Sequence, residues 1–191
     1  MNVIAIIPAR GGSKRLHKKN IQPIWGRPMI CWAIDACMNS EFNIEPWVSS
    51  DSKEILDIAK TYGAKTISRD EELCSDTAPK QSAIRHAASI ISKIKTPDLW
   101  ISLQANSPQI KSYDIDTAIK ILDNEKKDEI FSVDSNLMQN AAFRIFKGDY
   151  VFQQDLSTNC GVYVCDLIDV HTIEDIHDIE NNPPPRTVIW S

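Results

Sequence analysis

Holding a polyphosphate takes cations that reach its oxygens and backbone N–H groups that point at them. The stretch Ile6-Ile7-Pro8-Ala9-Arg10-Gly11-Gly12-Ser13-Lys14-Arg15-Leu16-His17-Lys18-Lys19-Asn20 supplies both. Its two glycines let the backbone turn tightly and come close to a ligand. Arg10, Lys14, Arg15, Lys18 and Lys19 add five cationic side chains, of which arginine can grip phosphate bidentately and lysine as a point charge. Residues 1–34 carry six of the 21 Lys+Arg and none of the 26 Asp+Glu, so a basic loop stands inside an otherwise acidic protein. An apolar run precedes that loop, and open α/β sheets bind ligands at the carboxyl ends of their strands. The spacing has neither the GK[ST] ending of a P-loop nor a G-x-G-x-x-G pattern.

Other polar residues lie at matching places. Ser50 and Asp51 follow a second apolar run, Arg69 follows a third, and Gln104, Asn106 and Ser107 follow a fourth. If the strands are parallel, these groups share one rim. They combine phosphate-binding cations with amides and hydroxyls able to read a base or a sugar. No Ser/His/Asp or Cys/His set can be assembled, which suits nucleotidyl transfer: there the substrate hydroxyl attacks and the protein supplies position and charge.

The elements that must position these residues alternate. Val3–Ile7 reads as a buried strand. A helix follows with Pro28 in its first turn and Ile30, Ala33, Ile34 and Cys37 at helical spacing. Pro46-Trp47-Val48 is a strand, Ile55 to Tyr62 a helix ended by Gly63, and Lys65–Ser68 a strand. A polar loop spans Arg69–Pro79, and a helix carries Ala83, Ile84, Ala87, Ala88 and Ile91. Asp98–Leu103 is a strand, Ile115 to Leu122 a helix, and Glu129–Val133 a strand. Phe143–Phe146, Tyr150–Gln153 and Val162–Cys165 read as further short strands. These units predict one domain over 1–182 with a mostly parallel, three-layer α/β sheet, and a tail from Pro183 over 183–191.

Composition narrows the setting. At 191 residues the chain can bury a sizeable core, and a net charge of −5 argues against general nucleic-acid binding. No apolar stretch is long enough to span a bilayer, and the start lacks a signal-type pattern. Cysteines 31, 37, 74, 160 and 165 are odd in number and lack CxxC spacing, the pattern of free thiols. The expectation is a cytoplasmic protein without membrane or nucleic-acid partners.

The opening, with Lys19-Asn20 and Gly26-Arg27-Pro28, resembles the signature of acylneuraminate cytidylyltransferases, the CMP-sialic acid synthetases, which include enzymes for pseudaminic and legionaminic acid. Val48-Ser49-Ser50-Asp51 resembles the family's second strand end. Arg69 with Glu72-Leu73 and Ser75-Asp76-Thr77 resembles its R-P-x-E-L-x-x-D-T loop. Leu103–Pro108 resembles its L-Q-P-T-S-P turn, and Asn159–Val164 its N-G-A-I-Y-I strand. The resemblance implies a Rossmann-like nucleotide-diphospho-sugar transferase fold and transfer of CMP from CTP to an acidic nine-carbon α-keto sugar, with release of pyrophosphate.

By the same resemblance, Arg10, Lys19 and Asp169 are catalytic, and Ala9, Arg10, Gly11, Ser13, Asn20 and Arg69 bind the nucleotide. Gln104, Asn106 and Asn159 meet the sugar, and Asp169 with His171 holds the metal, Mg²⁺ in the family and Mn²⁺ where an imidazole takes part. Several positions depart from the pattern. His171 replaces the second metal aspartate, Asn106 a threonine, Cys160 a glycine, and Ile110 an arginine. Val164 runs almost directly into Asp169, where the family inserts an arm that completes its homodimer. The alternative function is therefore a nucleotide-binding homologue without catalysis, acting as a regulatory or structural partner.

Overall fold

In a computed structural model, which describes residues 1–70 and 79–183, seven strands form one sheet in the order β5-β4-β1-β6-β8-β7-β9. β1 (Val3–Pro8) pairs in parallel with β4 (Glu45–Ser50) and β6 (Leu99–Leu103), and β4 pairs in parallel with β5 (Lys65–Ser68). β8 (Gln139–Lys147) runs antiparallel between β6 and β7 (Glu129–Val133), and β9 (Cys160–Val164) returns parallel to β7. β2 (Pro23–Ile24) and β3 (Arg27–Pro28) make a separate small hairpin.

Alternation along β1 shows why the sheet is covered on both faces. Val3, Ala5 and Ile7 join one core with residues of α1 (Ile30–Met38), α2 (Lys53–Thr61) and α4 (Ser112–Asn124). Ile4 and Ile6 join another with Ile84, Ala87, Ala88 and Ile91 of α3 (Lys80–Ile91). Successive strand residues point to opposite faces, so a continuous apolar run fits only between two helical layers. A third cluster joins the small hairpin and the start of α1 to α5 (Ile173–Glu180) through Ile24, Met29, Trp32, Val170, Ile176 and Ile179.

Two local readings are corrected. Pro28 belongs to the β2–β3 hairpin, not to the first turn of a helix; Trp25 at φ 47° and Gly26 at φ 75° make the turn between the paired Ile24 and Arg27, and Pro28 pairs with Pro23. Residues Tyr150–Gln153 are not a strand, because Gly148–Phe152 forms a 3-10 turn whose Val151 is buried against the α3 face. The Glu72-Leu73 and Ser75-Asp76-Thr77 pieces, and the tail beyond Pro183, lie outside the described residues. The four described cysteines, 31, 37, 160 and 165, are free. Among the described residues no helix is long and apolar enough to cross a membrane.

Candidate active site

The carboxyl ends of β5, β4, β1 and β6 stand side by side, and the basic loop leaves the middle of that rim. The Ala9 N–H donates to the Ser49 carbonyl at 3.0 Å, so pairing continues one residue past β1 before the loop turns away. The Gly11 N–H donates to Asp51 Oδ1 at 2.8 Å, and a Cβ on Gly11 would lie 2.8 Å from the Ser52 Cβ. Glycine is demanded here by close approach. Buried Asn20 ties the far end of the loop back to its start, donating from Nδ2 to the Arg10 carbonyl at 2.9 Å. Ser13 lies half-buried between these two anchors.

The basic side chains take separate places. Lys18 is drawn away to Glu54 of α2 at 2.6 Å. Lys19 points the other way, half-buried in a cluster of charge. Burial lowers its pKa most, Arg15, Lys80 and Arg10 lower it further, and only Asp169 opposes them. A lysine in such company gains most when several negative oxygens arrive among the cations. Lys80, the first residue of α3, was not singled out from the sequence. A helix that follows a parallel strand begins at the ligand rim, so a first-turn lysine there was a signal to use.

Asp169 comes to the same rim from the opposite direction. The segment before α5 lies against the loop after β6. The Ser107 hydroxyl donates to Asp169 Oδ1 at 2.5 Å, the Val170 N–H to the Asn106 carbonyl at 2.9 Å, and Asn106 Nδ2 to the Val170 carbonyl at 3.3 Å. Gln104 is buried to 7 % exposure at the start of that loop and fixed by its N–H to the Ala142 carbonyl at 3.0 Å. Arg69 is 6 % exposed and held by its N–H to the Ser50 carbonyl, and its Nε has no hydrogen-bond partner among the described residues. A buried guanidinium N–H left open suits a pocket that receives a polar ligand.

The structure does not bring Asn159 to this rim. Asn159 precedes β9, and all strands of the seven-stranded sheet but β8 run the same way, so it lies at the opposite end of that sheet. There its carbonyl accepts from the Asp128 N–H and its Nδ2 donates to the Lys126 carbonyl at 2.8 Å. The side chain is a strand-start tie, correcting the reading of Asn159 as a sugar contact.

The donor set separates Asp169 from His171 as metal ligands. Asp169 offers a hard carboxylate oxygen, Oδ2, that forms no hydrogen bond among the described residues, which fits an oxygen-seeking divalent cation. His171 Nδ1 sits 3.2 Å from Arg15 Nη2. A guanidinium can only donate, so Nδ1 accepts and the neutral ring keeps its proton on Nε2. Burial, Lys19 and Arg15 lower the His171 pKa in keeping with that neutral form. Nδ1 is thus engaged by Arg15 and not open to a metal.

A mostly parallel α/β sheet with cations gathered at one strand end and a carboxylate facing them is the arrangement of a Rossmann-like nucleotide-binding fold. Residues 4–160 match the family model for cytidylyltransferases, and the chain belongs to that family. It is 33% identical over 158 residues to the pseudaminic acid cytidylyltransferase of Campylobacter jejuni, covering 81% of this chain and 68% of that protein. It is 38% identical over 125 residues to the N-acylneuraminate cytidylyltransferase of Escherichia coli, covering 65% of this chain and 29% of that protein. The fold matches the solved structure of CMP:2-keto-3-deoxy-manno-octonic acid synthetase complexed with CTP at a TM-score of 0.75 and 16% identity, over 95% of this chain and 98% of that one.

Proposed function

We propose that this chain transfers CMP from CTP to a hydroxyl of an acidic α-keto sugar of the nonulosonic class, releasing pyrophosphate. The observation that carries the reading is the placement of Lys19 among Arg10, Arg15 and Lys80, across from Asp169, at the end of β1. The names of the relatives, pseudaminic acid and N-acylneuraminate cytidylyltransferases, support the acceptor class.

The attacking sugar oxygen forms a bond to the α-phosphorus and loses its proton to solvent, while the bond from that phosphorus to the bridging oxygen breaks. Charge builds on the α-phosphate oxygens and the departing pyrophosphate. Preorganised cations stabilise such charge best where water is partly excluded. Arg10 and Lys19 are assigned to that charge; Ala9, Gly11, Ser13 and Asn20 shape the loop around the triphosphate. Arg69 lines the nucleotide pocket from the β5 side, and Gln104 faces the acceptor from β6. Asp169 would hold a divalent cation, Mg²⁺ or Mn²⁺, an ion that supplies further positive charge at the phosphate oxygens.

The test is pyrophosphate release from each of CTP, UTP, ATP and GTP with a panel of nonulosonic acids. Release with CTP and at least one such acid is expected. Silence with every pair overturns the reading.

A further inference from the structure

Four hydrogen bonds join the segment before α5 to the loop after β6, residue by residue. The Ile168 N–H donates to Gln109 Oε1 at 2.9 Å, Ser107 Oγ donates to Asp169 Oδ1 at 2.5 Å, and the two Asn106–Val170 bonds complete the row. Ser107 is fully buried, and Asn106 is 8 % exposed. This row spans the place where the chain passes from β9 to α5 with no intervening secondary structure. Behind it, Val170 is buried in the cluster formed by the small hairpin, α1 and α5.

We infer that Ser107 is a positioning residue for Asp169, and that the Asn106–Val170 pair sets the backbone from which Asp169 projects. The inference rests on the function proposed above, in which Asp169 works at the triphosphate. An exposed aspartate explores several rotamers, and holding one oxygen fixes where the other points. The Ser107 hydroxyl has one proton to donate, and the carboxylate receives it at Oδ1. With Oδ1 held, Oδ2 is the oxygen left to meet a cation, and its position is set with fewer rotamers to search. Partners of this kind, one bond removed from a metal-binding carboxylate, typically contribute tenfold to a hundredfold in metal affinity or rate. Asn106 fits the same geometry: its backbone carbonyl accepts from the Val170 N–H while its Nδ2 donates to the Val170 carbonyl.

The experiment is a double-mutant cycle on Ser107 and Asp169, read by calorimetric CTP affinity in Mn²⁺ and in EDTA, with pyrophosphate release measured alongside. Ser107→Ala is expected to reduce the Mn²⁺-dependent gain in CTP affinity by about tenfold, leave affinity in EDTA unchanged, and lower kcat more than it raises KM for CTP. Ser107→Thr, which keeps the hydroxyl, should restore the gain. In an Asp169→Ala background, Ser107→Ala should add no further loss, because the group it positions is gone. An undiminished Mn²⁺ gain in Ser107→Ala, or an equal loss in the Asp169→Ala background, overturns the inference. So does a wild-type protein whose CTP affinity ignores Mn²⁺. If pyrophosphate release is absent but the Mn²⁺ cycle behaves as described, the proposed reaction fails while the positioning role of Ser107 stands.

Discussion

Gly11 and Arg10 are adjacent, yet the site asks different things of them. Gly11 is fixed by space: an added Cβ would press on Ser52 at 2.8 Å, against backbone-anchored atoms that cannot swing aside. Gly11→Ala should therefore displace the loop and weaken CTP binding by about tenfold or more with the core intact, as titration calorimetry and a thermal melt would show together. Arg10 is fixed by charge. Arg10→Ala removes a charge-assisted contact to phosphate worth about 1.5–3 kcal/mol, again at least about a tenfold loss in CTP affinity. Unchanged affinity in Arg10→Ala would contradict the phosphate assignment itself. Residue type and spacing made this loop legible because its glycines and cations lie together in sequence. The Ser107–Asp169 bond was not legible, since it joins positions 62 apart whose meeting depends on the whole sheet.

Among the elements, α5 has the most consequence for its size. Its first turn is closed by a capping box: Thr172 Oγ1 accepts from the Asp175 N–H at 3.4 Å, and Asp175 Oδ2 accepts from the Thr172 N–H at 2.8 Å. The same Asp175 oxygen accepts from the His171 N–H at 2.7 Å, which extends the hold towards Asp169. At the other end, Glu180 accepts from the Trp25 N–H and the Asn182 carbonyl accepts from Trp25 Nε1. Thr172→Ala should lower stability by about 1 kcal/mol, the usual worth of such a cap, measured as a lower urea midpoint at unchanged m-value. Helical periodicity and strand alternation announced nearly every element. The misses, Pro28 and Tyr150–Gln153, are short pieces whose backbone is set by neighbours. Pro28 suits a hairpin as well as a helix start, and Tyr150 and Val151 have the composition of a strand while the chain there turns beneath α3. Asn159 misled for another reason: a strand pattern does not say which end of the strand faces the ligand.

Across the whole molecule, the end of the sheet remote from the site carries its own electrostatic anchor. Glu45, at the start of β4, accepts from Lys95 at 2.6 Å, Lys65 at 2.9 Å and the Trp47 indole at 2.6 Å, joining β4, β5 and the segment that follows α3. Burial pushes the Glu45 carboxyl up, but the bonds from Lys95, Lys65 and Trp47 together outweigh it and bring it down to about 2. A carboxyl whose folded pKa lies below its unfolded value of about 4.3 contributes stability above that value. The contribution is lost as pH falls through about 2. Glu45→Gln should thus be less stable than wild type near neutral pH, and the two urea midpoints should converge between about pH 4 and 2. Parallel curves across that range would show that the carboxylate charge is not what matters there.

The insertion of β8 between β6 and β7 also imposes an order in time. As the chain leaves a ribosome, β1, β4, β5 and β6 can pair among themselves, because each already has a neighbour from that set. β7 cannot join them, since its only link to β6 runs through β8, which is made later. Chains are made at about 5–20 residues per second, so the basic loop after β1 is synthesised well before residue 169 is available to face it. On the function proposed above, the nascent protein would carry its basic loop before it carries Asp169, and so the cations before the carboxylate that faces them. Hydrogen exchange on ribosome-stalled chains of increasing length should show amides of β1 and β4 protected at lengths that still lack β8 and β9.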